Sequence, residues 1–364
     1  MQASAALTRA DAARASAHTQ APQSVARVDA PQQKPRYGWV DLAKGVSIVL
    51  VVLLHTTNFM VGRGLADPIW HEFNAYAQPI RMPLFFFVSG LFVTSAMSKP
   101  WGEVLRRRVA PLVYIYVLWT LLRFLYFTFL PETSGTAEAA YWWKPLEAAL
   151  RPDSGMWFIY ALAVFTVAAR ALRSVSPPTQ LAAAVALAVV SPELEFDSWA
   201  WHNMLSYFVF FLLGAYLAPL AHRVATGSTV PRMAAVVAIF AGVSMIFRDS
   251  DVLRSYTIAT IALSMLGLVT GVLLMGRIGE LRVLEPLRWL GRRTLPVFLM
   301  HEIVLGTVIA GLLGIGVGLA VGQRIPAGPL VVTAIAVAAS VGIHRVVLRA
   351  RQPWLFTLPD RFLR

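Results

Sequence analysis

The chain is dominated by apolar runs of about 18 to 22 residues, Val46–Val61 and Leu330–Ile343 with their flanks among them. Such runs match the helix length that crosses a hydrocarbon core of roughly 30 Å. None alternates with a period of two, so transmembrane strands are excluded and the expected fold class is all-α, a polytopic membrane bundle. Runs bounded by charge or by Pro and Gly fall near 44–62, 79–97, 109–130, 156–173, 180–192, 203–220, 232–247, 255–275, 294–314 and 328–347. The expectation is about ten transmembrane helices.

The net charge of +13 could point to nucleic acid, but the basic residues are scattered between spans, so a membrane partner is expected and nucleic acid is not. Lys99, Arg106, Arg107, Arg108, Arg170, Arg173, Arg223, Arg277, Arg282, Arg288, Arg292 and Arg293 crowd the even-numbered connections. The odd ones carry fewer, together with Glu132, Glu138, Glu193, Glu195 and Asp197. The positive-inside rule then puts both termini in the cytoplasm. Residues 1–36 lack an apolar core and read as a disordered cytoplasmic tail, 37–348 as the transmembrane domain, and 349–364 as a second cytoplasmic tail. The absence of cysteine removes thiolate nucleophiles, disulfides and Cys-ligated metals.

Polar residues inside the spans carry the functional reading. In the first span Lys44 and His55 are eleven residues apart, about three turns, so they share a face, with Asp41 and Asn58 within roughly 60° of it. His55 lies some 16 Å beyond Lys44 on that count, near the expected midplane. An imidazole there either satisfies itself on a neighbouring helix or lines a site, and one titrating near neutrality can take a proton from a hydroxyl. The second span holds Arg81, an aromatic run and the small pair Ser89-Gly90, which admits another helix or a slender ligand close to the backbone. Arg106-Arg107-Arg108 follow at the border, either as topogenic charge or as a phosphate clamp. In the ninth span Thr294 and His301 share a face, so a second intramembrane histidine either bridges helices or joins the site.

Several stretches resemble, in order, the acyltransferase 3 family of integral membrane acyltransferases, with a fucose O-acetylase-like variant of the first motif. They are Asp41-Leu-Ala-Lys44-Gly45 with His55, Met82-Pro83-Leu-Phe-Phe-Phe-Val-Ser89-Gly90, Arg107-Arg108-Val-Ala-Pro111, Met156-Trp157-Phe158, Tyr207 to Gly214, and Gly291 to His301. Lys44 stands where the family usually has Arg, which keeps the charge and loses the bidentate fork.

The resemblance implies transfer of an acyl group, acetyl being commonest, from cytoplasmic acyl-CoA to a hydroxyl of an extracytoplasmic glycan or glycolipid at the bacterial inner membrane. It implies catalytic roles for His55, Lys44 and Asp41, as general base or transiently acylated histidine with its supporting charges. Arg107, Arg108, Ser89 and Gly90 would hold the CoA donor, and Asn58, Arg81, Trp157 and His301 would face the acceptor. No metal is expected. A lipid or solute exporter and a non-catalytic membrane scaffold are the competing classes; paired interrupted helices in the two halves would favour the exporter.

Overall fold

The computed structural model describes residues 37–130, 139–314 and 326–362. The expected tail over 1–36, and Glu132 and Glu138 of the outer connections, lie outside the described residues. The described residues form helices and no strand. Those of seven residues or more are α1 (Gly38–Val61), α2 (Ile69–Gly90), α3 (Trp101–Phe129), α4 (Trp157–Ala171), α5 (Pro177–Val190) and α6 (Trp199–Tyr216). They continue with α7 (Ala218–Thr226), α8 (Val230–Asp249), α9 (Thr257–Ile278), α10 (Glu285–Gly291), α11 (Thr294–Gly314) and α12 (Gly328–Arg349).

Each expected span overlaps one of these helices, but length and composition single out seven: α1, α3, α4 with its 3-10 extension to Ser174, α8, α9, α11 and α12. The bent pair α6 and α7, turned by 79° at Leu217, makes an eighth. The remaining two expected spans correspond to α2 and α5. α2 contains Gln78, Pro79, Arg81 and Pro83 and starts at Ile69 rather than near residue 79, because its first half, Ile69 to Gln78, is helical but polar. α5 has only 14 residues, about 21 Å, and is started by Ser176, whose hydroxyl accepts from the Thr179 amide, with Pro177 at its first position.

Small residues set the closest crossings. A methyl group on Gly90 would collide with the Phe211 carbonyl of α6, and one on Gly214 with the Phe87 carbonyl of α2, so the two backbones touch at a reciprocal glycine contact. Gly45 of α1 and Gly291 of α10 meet the Leu287 and Asp41 carbonyls in the same manner.

Side-chain contacts divide the bundle into two ends. At one, Trp39 Nε1 lies 3.0 Å from His222 Nδ1, Arg170 Nε donates to the Lys99 carbonyl at 2.8 Å, and Arg345 stacks on Trp289. At the other, Trp70 Nε1 donates to the Pro326 carbonyl at 3.1 Å and Arg151 pairs with Asp197 at 2.6 Å. α1 therefore begins and α12 finishes at the same end, where the even-connection arginines gather. The segment after α12 is docked: Tyr114 and Trp119 of α3 donate to the carbonyls of Trp354 and Leu355 at 2.9 and 2.7 Å, and Phe356 is buried beside His344.

Candidate functional site

Helix α11 is apolar on nearly every face, and most of its first four turns are buried. Into this setting the sequence places Glu302, 3% exposed, and a carboxylate so enclosed needs compensation. Two other helices supply it. Arg123 of α3, wholly buried, forms an ion pair with Glu302 Oε2, and His55 Nδ1 of α1 lies 3.0 Å from Oε1. The connection between α3 and α4 completes the enclosure, because Gly155 lies so close to the carboxylate that a methyl group there would collide with it.

His301 lies behind this group. Its Nδ1 donates to the Phe298 carbonyl at 2.7 Å, which fixes the tautomer and leaves Nε2 as a buried acceptor with no hydrogen-bond partner, 3.9 Å from Glu302 Oε1. The rings of His55 and His301 stand edge to face, 4.9 Å apart.

His55 also borders a cavity of about 270 Å³ that it shares with Arg81, Trp157, Trp199, Asn203 and Tyr207. With Nδ1 facing Glu302 Oε1 at 3.0 Å, Nε2 is the ring nitrogen left to this space. Arg81 is held by Asn74 Oδ1 at 3.3 Å, and Asn74 in turn donates to the Thr57 hydroxyl at 2.9 Å. Its Nε, also buried, has no hydrogen-bond partner. Phe85, Phe158 and Phe298 line another wall, with Phe85 and Phe158 stacked at 4.4 Å and Phe158 tilted on Phe298 at 5.6 Å.

Of the residues expected at the site, the structure brings His55, Arg81 and Trp157 together around this cavity and His301 behind it. The others stand elsewhere. Lys44 and Asp41 are eleven and fourteen residues before His55, roughly 16 and 21 Å along the α1 axis. Lys44 Nζ lies 4.1 Å from the Phe92 ring centroid, and Asp41 faces Arg292 at 3.6 Å, so neither supports His55 by contact. Asn58 is exposed and does not line the cavity. Ser89 donates to its own helix at the Phe85 carbonyl, 2.8 Å, and Gly90 is occupied by the α2–α6 crossing.

Arg107 and Arg108 are exposed on a π-turn, Leu105–Val109, and Arg108 donates to Ser95 Oγ at 3.3 Å. These residues share the basic end with Glu285, whose carboxyl the hydrogen bonds from Arg292 and Arg288 hold below its ordinary range. The sequence reading missed Glu302 and Arg123. The available signal was their position, a charged residue in the interior of each of two apolar spans.

The same side chains have metal-ligating chemistry: one donor atom each from His55, His301 and Glu302 lie within 4.8 Å of one another. Arg123 already neutralises the carboxylate, and a divalent ion placed there would sit against the guanidinium.

A family model described as an acyltransferase domain, Acyl_transf_3, matches residues 37–345. Inner membrane protein YcfT of Escherichia coli (strain K12) is 26% identical over 198 residues, 49% of this chain and 55% of that relative, so the chain matches only about half of its length. No solved structure matches.

Proposed function

Because the chain belongs to the acyltransferase 3 family, a family of membrane acyltransferases, we propose that it moves an acyl group from acyl-CoA to a hydroxyl of a sugar-containing acceptor, with His55 as general base. The observation that carries this reading is the chain Arg123, Glu302, His55 ending at a cavity. A carboxylate on Nδ1 fixes the imidazole ring and stabilises the imidazolium that forms when Nε2 takes a proton, the role a buried carboxylate has in hydrolase triads.

In the proposed reaction the acceptor oxygen attacks the thioester carbonyl while its proton passes to His55 Nε2. The tetrahedral intermediate then collapses, the C–S bond breaks, and the proton returns to the departing CoA sulfur. Arg81, in the same cavity, carries a buried donor with no protein partner and is suited to the oxyanion. Acetyl is the expected group. The basic end, with Arg107, Arg108 and Lys44, the last some 16 Å from His55 along α1, suits the CoA phosphates, and the donor's arm would have to cover that distance.

The test is transfer from radiolabelled acetyl-CoA to an envelope lipid and glycan extract by purified protein in nanodiscs. His55→Gln keeps a hydrogen bond but no base, and a loss of about 10²–10⁴ in rate at equal folded protein is expected. Near-normal transfer by this variant would make His55 structural. The His55, His301 and Glu302 grouping favours one second reading, a metal centre. Chelator treatment should leave transfer unchanged, whereas loss of transfer that zinc restores would establish that alternative.

A further inference from the structure

A second cavity, about 250 Å³, adjoins the one beside His55 and shares Gln78, Asn203 and Tyr207 with it. It lies between α2, α6, α8 and α9, and its walls combine two kinds of surface. Tyr76, Phe210 and Phe247 contribute aromatic side chains, while Ser206, Ser244, Thr257, Thr260 and Ser264 contribute hydroxyl-bearing ones. Its one cationic side chain, Arg248, is paired with Glu72 and lies over the Tyr76 ring.

Two features of the chamber are unexplained by packing. Ser244 is 1% exposed in the middle of an apolar helix, yet its hydroxyl has no hydrogen-bond partner. Ser47 and Ser340 share that property but line neither cavity. A buried hydroxyl without a partner costs about 1–3 kcal/mol, so one that lines a cavity marks a place where something else supplies the bond. Pro79, next to Gln78, has no N–H to give the Ala75 carbonyl four residues before it, and Ala75 also lines the chamber. A residue whose carbonyl lacks its regular helical donor and an unpaired hydroxyl therefore border the same space.

We infer that this chamber holds the acceptor, as a neutral polyhydroxylated ring, and presents one of its hydroxyls to His55 past Gln78, Asn203 and Tyr207. Aromatic faces take the apolar C–H face of such a ring, and the hydroxyl and carbonyl groups take its edges. The volume equals about eight waters at their liquid volume of roughly 30 Å³, which suits a single ring. A charged headgroup finds no uncompensated counter-charge there, since Arg248 is engaged by Glu72. Tyr207, like Gln78 and Asn203, lines both chambers, so these three side chains stand where the two spaces meet.

The inference rests on the acyl-transfer reading, and its test needs no turnover. Saturation-transfer NMR on protein in nanodiscs, with methyl glucoside, galactoside, mannoside and rhamnoside as probes, should detect binding of at least one. Ser244→Leu, which fills the chamber, should weaken that binding at least tenfold. Thr260→Phe, placed at an exposed position so that folding is not at issue, should do the same, while Gly242→Ala, in open space on α8 and outside both chambers, should bind as wild type does. Binding of none of the four, or wild-type affinity in Thr260→Phe, would overturn the chamber as an acceptor site. Glycoside binding by a protein that transfers no acyl group would keep the chamber and discard the acyl-transfer reading.

Discussion

The basic end of the bundle and the cluster around Glu302 are both built from arginine, carboxylate and histidine, yet they differ in every physical respect that matters. At the basic end the charges, Arg170 apart, are partly or fully exposed, and Glu285 has two cationic neighbours, Arg288 and Arg292. Water and alternative partners can replace any one of them. Around Glu302 each group has partners fixed by three helices, and the 3% and 0% exposures of Glu302 and Arg123 leave no water to substitute. On the proposed function, abundant charge would serve orientation and a docking mouth, whereas scarce, enclosed charge would serve proton transfer.

The sharpest way to break this comparison is to remove one member of the enclosed pair. Glu302→Gln leaves Arg123 buried without its counter-charge, and breaking such a pair costs about 3–5 kcal/mol, so thermal stability should fall strongly along with transfer. The double variant Arg123→Met with Glu302→Gln should recover part of the stability and none of the transfer. If scanning fluorimetry shows the single variant as stable as wild type, the cluster is not a tightly coupled pair.

A smaller effect is expected where packing, not charge, is at stake. Gly90→Ala forces α2 and α6 apart at a backbone contact, and overpacking of this kind costs about 1–3 kcal/mol. Gly242→Ala, in open space on α8, should be neutral in the same melting experiment. Equal behaviour of the two would remove the reciprocal glycine crossing as a determinant of the fold.

The smallest effect on stability should come from the most conspicuous charges. Arg107→Gln with Arg108→Gln should stay within about 0.5 kcal/mol of wild type, as exposed substitutions generally do, while acetyl-CoA affinity measured by calorimetry falls. Unchanged affinity would return these residues to topology alone.

How far the sequence carried this distinction depended on the kind of signal. His55 was legible because an imidazole interrupts an otherwise apolar run and shares a face with Lys44, Trp157 belonged to an ordered motif, and Arg81 stood out as a charge within the second span. Glu302 was masked by its neighbour His301, and Arg123 by the aromatic and aliphatic residues on either side of it, although a lone ion inside a span is itself a signal. The partnership of Arg123 with Glu302 could not be read at all, since 179 residues separate them and nothing local records which helices meet. Each expected span contains a helix, whereas α10 and the bend at Leu217 were not expected. The start of α2 was not, because hydropathy ignores a polar stretch that tertiary contacts hold helical, as Asn74 is held by Thr57.

That separation also has a meaning in time. Chains emerge at about 5–20 residues per second, so the 179 residues between Arg123 and Glu302 take roughly 10–35 s to make. Throughout that interval α3 has been synthesised and its guanidinium has no native counter-charge. Arg123 stands six residues from the end of α3 at Phe129, close enough for a long side chain to reach the interface and wait there hydrated. The Arg123–Glu302 pair can form only once α11 has been made, so the docking of α11 against α1 and α3 completes the cluster late in biogenesis.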